Sequence, residues 1–141
     1  MANVFWDTNL FIYLFERNPQ FAERVVEIRK NMLARGDRLC TSSLTVGEIL
    51  VKPAAEGQRS LLERYRSFFQ HPAITVIPFD LKAAGIYAEI RRDRSISRPD
   101  AIQLACAAAA EVDLFITNDE RLSGKVAPGV KFVTSLARAP L

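Results

Sequence analysis

RPDAIQLACAAAAEVDLFITNDE, residues 98–120, is the stretch whose reading decides the fold. It opens on Pro99 and Asp100, runs through an alanine-rich segment, and enters the apolar run Leu114–Thr117 before stopping at Asn118 and Asp119. Proline suits the start of a helix, where an amide proton would have no partner, and Pro99 is expected at the first helical position. Ile102, Ala105, Cys106 and Ala109 fall on one helical face, and the small side chains allow close packing against a sheet. The unbroken apolar run Leu114, Phe115, Ile116 reads as a strand covered on both faces. Two carboxylates, Asp100 and Asp119, therefore flank one buried helix–strand unit.

The same alternation extends in both directions along the chain. Asn3–Trp6 is a short apolar strand ending in Asp7-Thr8-Asn9, after which Leu10, Phe11, Leu14 and Phe15 recur at helical spacing. On one reading Asp7 or Thr8 caps that helix. On the other, a central strand delivers Asp7 to the carboxyl edge of a sheet, where open α/β sheets bind ligands, with Thr8 and Asn9 as neutral hydrogen-bonding groups beside it. Residues 19–35 read as an amphipathic helix with Phe21, Val25, Ile28 and Met32 inward, ended by Gly36. Residues 38–41 form a second strand. Ser42 or Ser43 then caps a helix carrying Leu44, Val46, Ile49, Leu50 and Val51 and closed by Lys52-Pro53. Its one acid, Glu48, either faces solvent or points out of an otherwise buried helix toward a site.

Residues 56–70 make another amphipathic helix. His71, the single histidine, sits at its end, where it suits the free carbonyls. Ile74–Ile77 is a third strand, and Asp80 caps a helix from residue 81 to about 94. Residues 120–130 read as loop, 131–134 as a last strand, and 135–141 as a frayed tail. Strands alternating with helices imply an α/β fold of three layers, a central, mostly parallel sheet of four to five strands flanked by helices.

A length of 141 residues fits one domain, residues 1–141, with its own core. A net charge of +3 permits a polyanionic partner without requiring one. Cys40 and Cys106 form no C-x-x-C pattern and read as reduced cytoplasmic thiols. No charged leader followed by an apolar run is visible, and no apolar stretch approaches the ~18 residues of a membrane span. With one histidine, a histidine-rich metal site is excluded.

Asp7 follows the first strand, Asp119 the fourth, Asp100 starts the helix feeding the fourth, and Glu48 lies on the helix after the second. In a parallel sheet the first and fourth strands are central, so their ends face one cleft. Four carboxylates there raise one another's pKa unless a cation holds them. Oxygen ligands without His or Cys select a hard cation, Mg²⁺ or Mn²⁺. Arg91, Arg92, Arg94 and Arg98, just ahead of Asp100, suggest contacts to a phosphate backbone.

Strand–Asp-Thr-Asn, a helical Glu, Pro-Asp-Ala at a helix start and strand–Thr-Asn-Asp together resemble the PIN domain, specifically the VapC-type toxins of prokaryotic toxin–antitoxin pairs, over residues 4 to about 133. Two positions depart from the family pattern. Trp6 stands where a smaller aliphatic residue is usual, and Gln103-Leu104 replaces residues that are often small. The resemblance implies a metal-dependent ribonuclease that leaves 5′-phosphate and 3′-hydroxyl ends. Asp7, Asp100 and Asp119 would hold the cation, Glu48 would complete the shell or orient the attacking water, and Thr8, Asn9, Thr117 and Asn118 would orient these groups. It also implies a homodimer silenced by an antitoxin, with the Phe11–Phe15 and Tyr65–Phe69 segments as candidate surfaces. Two rivals are a phosphatase of the haloacid-dehalogenase type, which wants an acid at position 9 and a nearby lysine, and a non-catalytic RNA- or protein-binding module.

Overall fold

Val4, Phe5 and Trp6 are 0–1% exposed, the burial expected of a strand with sheet neighbours on both sides and helices above and below. In the computed structural model, which describes residues 1–125 and 127–141, they belong to β1 (Asn3–Trp6) at the centre of a five-stranded sheet. After it come α1 (Thr8–Phe15), α2 (Ala22–Arg35), β2 (Arg38–Ser42), α3 (Ser43–Ala55), α4 (Arg59–Gln70) and β3 (Ile74–Ile77). The chain continues through α5 (Leu81–Ile90), α6 (Arg98–Ala109), β4 (Leu114–Thr117) and β5 (Phe132–Ser135). The strand order is β3-β2-β1-β4-β5, and every pairing is parallel.

Alternation along the strands divides the core in two. Phe5, Cys40 and Phe115 point to the face covered by α5 and α6. Val4, Trp6, Leu39, Leu114 and Ile116 point to the face covered by α1 to α4. Phe5 and Phe115 stack across neighbouring strands with centroids 4.8 Å apart, and Trp6 packs on Phe11 at 5.2 Å. The large Trp6 is thus accommodated by the aromatic side of the core. Trp6 lies opposite Ile116 in the register, and the Asp7 amide donates to the Ile116 carbonyl at 3.0 Å. Asp7 and Thr117 consequently leave the sheet side by side.

Most departures from the sequence expectation are at element ends. The second helix begins at Ala22 because Asn18 Oδ1 accepts from the amides of Gln20 and Phe21, making 18–21 a turn. Ser42 caps α3, which runs past Pro53 to Ala55, and Val51 is 66% exposed, so this helix is not buried throughout. Gly57, at φ +66°, delays α4 to Arg59. His71 does not serve the helix end with its ring: Nδ1 accepts from the Ala73 amide and shapes the turn into β3. Asp80 caps α5 as expected, but the helix stops at Ile90, after which Arg91 Nη1 donates to the Ile96 carbonyl. Ser97 caps α6, so Pro99 occupies its second position. This helix is buried on nearly every side, while Ile102 and Ala109, expected inward, are among its more exposed residues.

The last strand is shifted one residue, to Phe132–Ser135. The described part of the 120–130 loop is built of turns; Val126 lies outside the described residues. Among those residues no helix is long and apolar enough to cross a membrane.

The tail is docked, not frayed. Leu136 and Ala139 are 2% and 6% exposed, and Arg24 donates to the carbonyls of Ala139 and Leu141, both at 2.8 Å. The Leu136 amide also bonds to the Thr117 carbonyl at 2.9 Å. Removing residues 136–141 is expected to lower stability by about 2 to 4 kcal/mol, from lost apolar burial and charge-assisted hydrogen bonds. An unchanged urea midpoint would contradict the docking.

Candidate active site

The carboxyl edge of β1 and β4 opens into a cleft of about 220 Å³ lined by Asp7, Thr8, Asn9, Ile12, Glu48, Pro99, Asp100, Gln103 and Asp119. All four acids singled out in the sequence therefore line one cleft. No lysine lines it.

Each acid is placed by a different device. Asp7 follows the central strand and is also the N-cap of α1, so its two readings are compatible. Its Oδ1 accepts from the Thr8 amide at 2.8 Å, and its Oδ2 accepts from the Thr117 hydroxyl at 2.8 Å. The Thr117 oxygen in turn accepts from the Asp119 amide at 3.0 Å, so one hydroxyl ties the ends of β1 and β4 together. Asp100 sits in the first turn of α6, whose amides favour negative charge. Glu48 projects from α3 into solvent at the rim, where Oε1 accepts from the Thr8 hydroxyl at 2.7 Å. It is both exposed and directed to the cleft.

Asp119 is engaged by Arg121. Its carboxylate accepts from the Arg121 amide at 3.0 Å, from Nε at 3.1 Å and from Nη2 at 2.9 Å. These bonds hold its pKa below the usual carboxylate range. Asp7 goes the other way. Burial raises it from 3.8 to about 6 against the opposing bonds from Thr117 and Thr8, and the charges of Asp100 and Glu48 add to the rise.

Of the remaining sequence candidates, Thr8, Asn9 and Thr117 are at or behind the cleft, whereas Asn118 turns away to donate to the Tyr13 hydroxyl at 2.9 Å. None of the four arginines lines the cleft. Arg91 is half-buried and holds the turn after α5. Arg92, Arg94 and Arg98 are exposed, with Arg92 paired to Glu89 at 3.4 Å.

Gln103 reaches the same site without a motif to mark it. It is 2% exposed, with Nε2 2.7 Å from Thr45 Oγ1, 3.0 Å from Thr8 Oγ1 and 3.4 Å from Asp7 Oδ1, and its Oε1 accepts from the Ser42 hydroxyl. Its one visible signal is its position on α6, three residues after Asp100 and hence on the same helical face.

The cleft acids present only oxygen ligands, the chemistry of a hard cation. Among the described residues, no three acidic, histidine or cysteine side chains converge closely enough to hold a metal ion. The reason is local: Asp119 is turned to Arg121 and Glu48 to Thr8. Arg121 is 82% exposed and Asp119 only 20%, so the pair lies at the rim of the cleft with its guanidinium in solvent.

Asp7 also makes stability depend on pH. Below pH 3.8 it is protonated whether the chain is folded or unfolded; between 3.8 and about 6 only the unfolded chain ionises, so stability falls as pH rises through that window. Asp7→Asn removes the effect, and its amide can donate to Thr117 Oγ1. Without divalent cations, this variant is expected to match the parent chain near pH 3.5 and to exceed its stability at pH 7 by about 1 to 3 kcal/mol. Urea titrations at both pH values check this; a variant weaker than the parent at pH 7 contradicts it.

The fold is similar to that of several solved structures. VapBC2 of Rickettsia felis, bound to a promoter DNA fragment, matches with a TM-score of 0.69 and 18% identity over 94% of this chain and 98% of that one. A toxin–antitoxin complex from Klebsiella pneumoniae matches at 0.65 with 24% identity, covering 90% and 94%. DNA-bound VapBC from Salmonella typhimurium matches at 0.63 with 21% identity, covering 96% and 99%. At these identities the likeness is one of fold. No curated protein sequence matches significantly. The family model for the PIN domain matches residues 4–126, nearly the whole chain, and the chain belongs to the PIN domain family.

Proposed function

We propose that this protein is a Mg²⁺- or Mn²⁺-dependent endoribonuclease, the VapC-type toxin of a toxin–antitoxin pair. The observation that carries the reading is the gathering of Asp7, Glu48, Asp100 and Asp119 around one cleft at the carboxyl edge of the parallel sheet. Asp7, Asp100 and Asp119 would hold the cation. A divalent ion bound there supplies a lowered pKa for the attacking water and offsets charge on the phosphate oxygens.

The chain's own residues supply the rest. Thr117 and the Thr8 amide keep Asp7 fixed while it is ionised. Glu48, at the solvent-facing rim, would complete the shell or orient the attacking water and take its proton. Attack at phosphorus displaces the 3′ oxygen and leaves 5′-phosphate and 3′-hydroxyl ends. Single-stranded or looped RNA fits best, since its backbone can enter a cleft that a duplex cannot.

For the antitoxin, the supporting feature is a mostly apolar groove of about 330 Å³ between α1, α3 and α4. It shares Ile12 and Glu48 with the acidic cleft, so a segment lying in it would reach the acids. Many of the aromatics at Phe11–Phe15 and Tyr65–Phe69 pack on one another, with Phe15 stacked on Tyr65 at 4.8 Å, and the groove runs beside that cluster. Solved complexes of this fold include a toxin–antitoxin pair, which agrees with such a partner. A homodimer and a cytoplasmic location go with the same proposal.

A non-catalytic binding module is the second reading, favoured by the pairing of Asp119 with Arg121. Incubating the purified protein with an RNA pool in Mg²⁺, Mn²⁺ or chelator separates the two. The nuclease reading expects cation-dependent cuts with 5′-phosphate ends, and at least a thousandfold loss in Asp7→Asn and in Asp100→Asn, both remaining folded. Parent activity in either variant, or cutting in chelator, rejects it.

The exposed Arg92, Arg94 and Arg98 are proposed to follow the RNA backbone. Replacing all three by Gln in the Asp7→Asn background is expected to weaken RNA binding and to reduce the slope of log affinity against log salt by about 2, at roughly 0.7 per phosphate contact. An unchanged slope removes them from the interface.

A further inference from the structure

We infer that Gln103 is a positioning residue: its side-chain amide sets the direction of the hydroxyl protons behind the cleft, so that they end on Asp7 and Glu48. The inference rests on the cation-site reading of the same acids.

The Ser42 oxygen accepts from the Thr45 amide at 3.3 Å, and its own proton goes to Gln103 Oε1. The Asp7 carboxylate distinguishes the two ends of the amide. The reverse orientation would set the amide oxygen against the Asp7 carboxylate, whereas the observed one places Nε2 there. An amide nitrogen only donates. Thr45 Oγ1 and Thr8 Oγ1 therefore accept from it at 2.7 and 3.0 Å, and their protons are passed onward. Thr45 then donates to Thr8 across 3.1 Å, and Thr8 donates to Glu48 Oε1 at 2.7 Å. Asp7 Oδ1, 3.4 Å from Nε2, shares one of that nitrogen's two protons with a threonine oxygen.

Every link runs toward a carboxylate. Both acids are consequently held as acceptors, the form that takes a cation. Ser42, Thr45 and Gln103 are 0–2% exposed, so bulk water is not available to replace a missing link. Gln103 also ties α6, which carries Asp100, to α3, which carries Glu48, and to the β1–α1 junction at Asp7.

The test is calorimetric titration of metal-free protein with Mn²⁺, comparing the parent chain, Gln103→Met, Ser42→Ala and Thr41→Val, with melting temperatures recorded for each. Gln103→Met keeps the length and loses both donors; it is expected to weaken Mn²⁺ binding about tenfold or more, as loss of a ligand-orienting hydrogen bond does. Ser42→Ala leaves Gln103 in place but frees its amide, and is expected to weaken binding by a smaller factor, about threefold or more; it decides the matter if the Met variant does not fold. Thr41→Val removes a buried 3.0 Å bond to the Trp6 carbonyl that is not a link between Gln103 and the acids, and should lower the melting temperature with Mn²⁺ affinity within about twofold of the parent. Parent-like Mn²⁺ affinity in Gln103→Met, or in Ser42→Ala where the former is unfolded, overturns the inference while leaving the cation site standing. Absence of Mn²⁺ binding by the parent chain overturns both.

Discussion

A carboxylate at the end of a buried central strand is the constraint on which this structure depends. Asp7 is 6% exposed, and burial alone pushes it toward the protonated form. The chain answers with neutral donors: the Thr8 amide, the Thr117 hydroxyl and the Gln103 amide. None of these neutralises the charge. They hold the carboxylate in place, and under the proposed function a cation would compensate its charge.

The topology explains how so few residues achieve this. With β1 central and β4 beside it, two acids are delivered by the two strand ends and two by helices that start near the same edge. Parallel pairing brings those strand ends to one side, so the site needs no long loop. The arrangement also separates duties. The aromatic core around Trp6 and Phe11 supplies rigidity on one face of the sheet, and the alanine-rich α6 lets the opposite face approach closely enough for Gln103 to reach β2, α3 and Asp7.

Much of this was legible in the sequence because period and punctuation agree: apolar runs of four residues, helical spacing between them, and a capping residue at most junctions. Asp7, Asp100 and Asp119 could be found because each falls at such a junction, and Glu48 because it is the one acid within its helix. What was not legible depends on partners distant in the chain or on local competition for hydrogen bonds. Gln103 looks like a polar interruption in an alanine helix until Ser42, Thr45 and Thr8 are set around it. The capture of Asp119 by Arg121, two residues on, leaves no periodic trace. Element ends moved where Asn18, Gly57 and Arg91 formed turns that outweigh propensity, and the tail was placed by Arg24, more than a hundred residues earlier. The arginines before Asp100 share a short segment but not a role, since burial takes Arg91 out of the exposed set.

The central claim is that the four acids constitute one cation site. Anomalous diffraction from crystals of the protein soaked in Mn²⁺ tests it most directly. The account predicts a peak in the cleft, bonded to Asp7, Asp100 and Asp119, with the Asp119 carboxylate released from Arg121. A map with no peak there at millimolar Mn²⁺, and Asp119 still paired to Arg121, would contradict it.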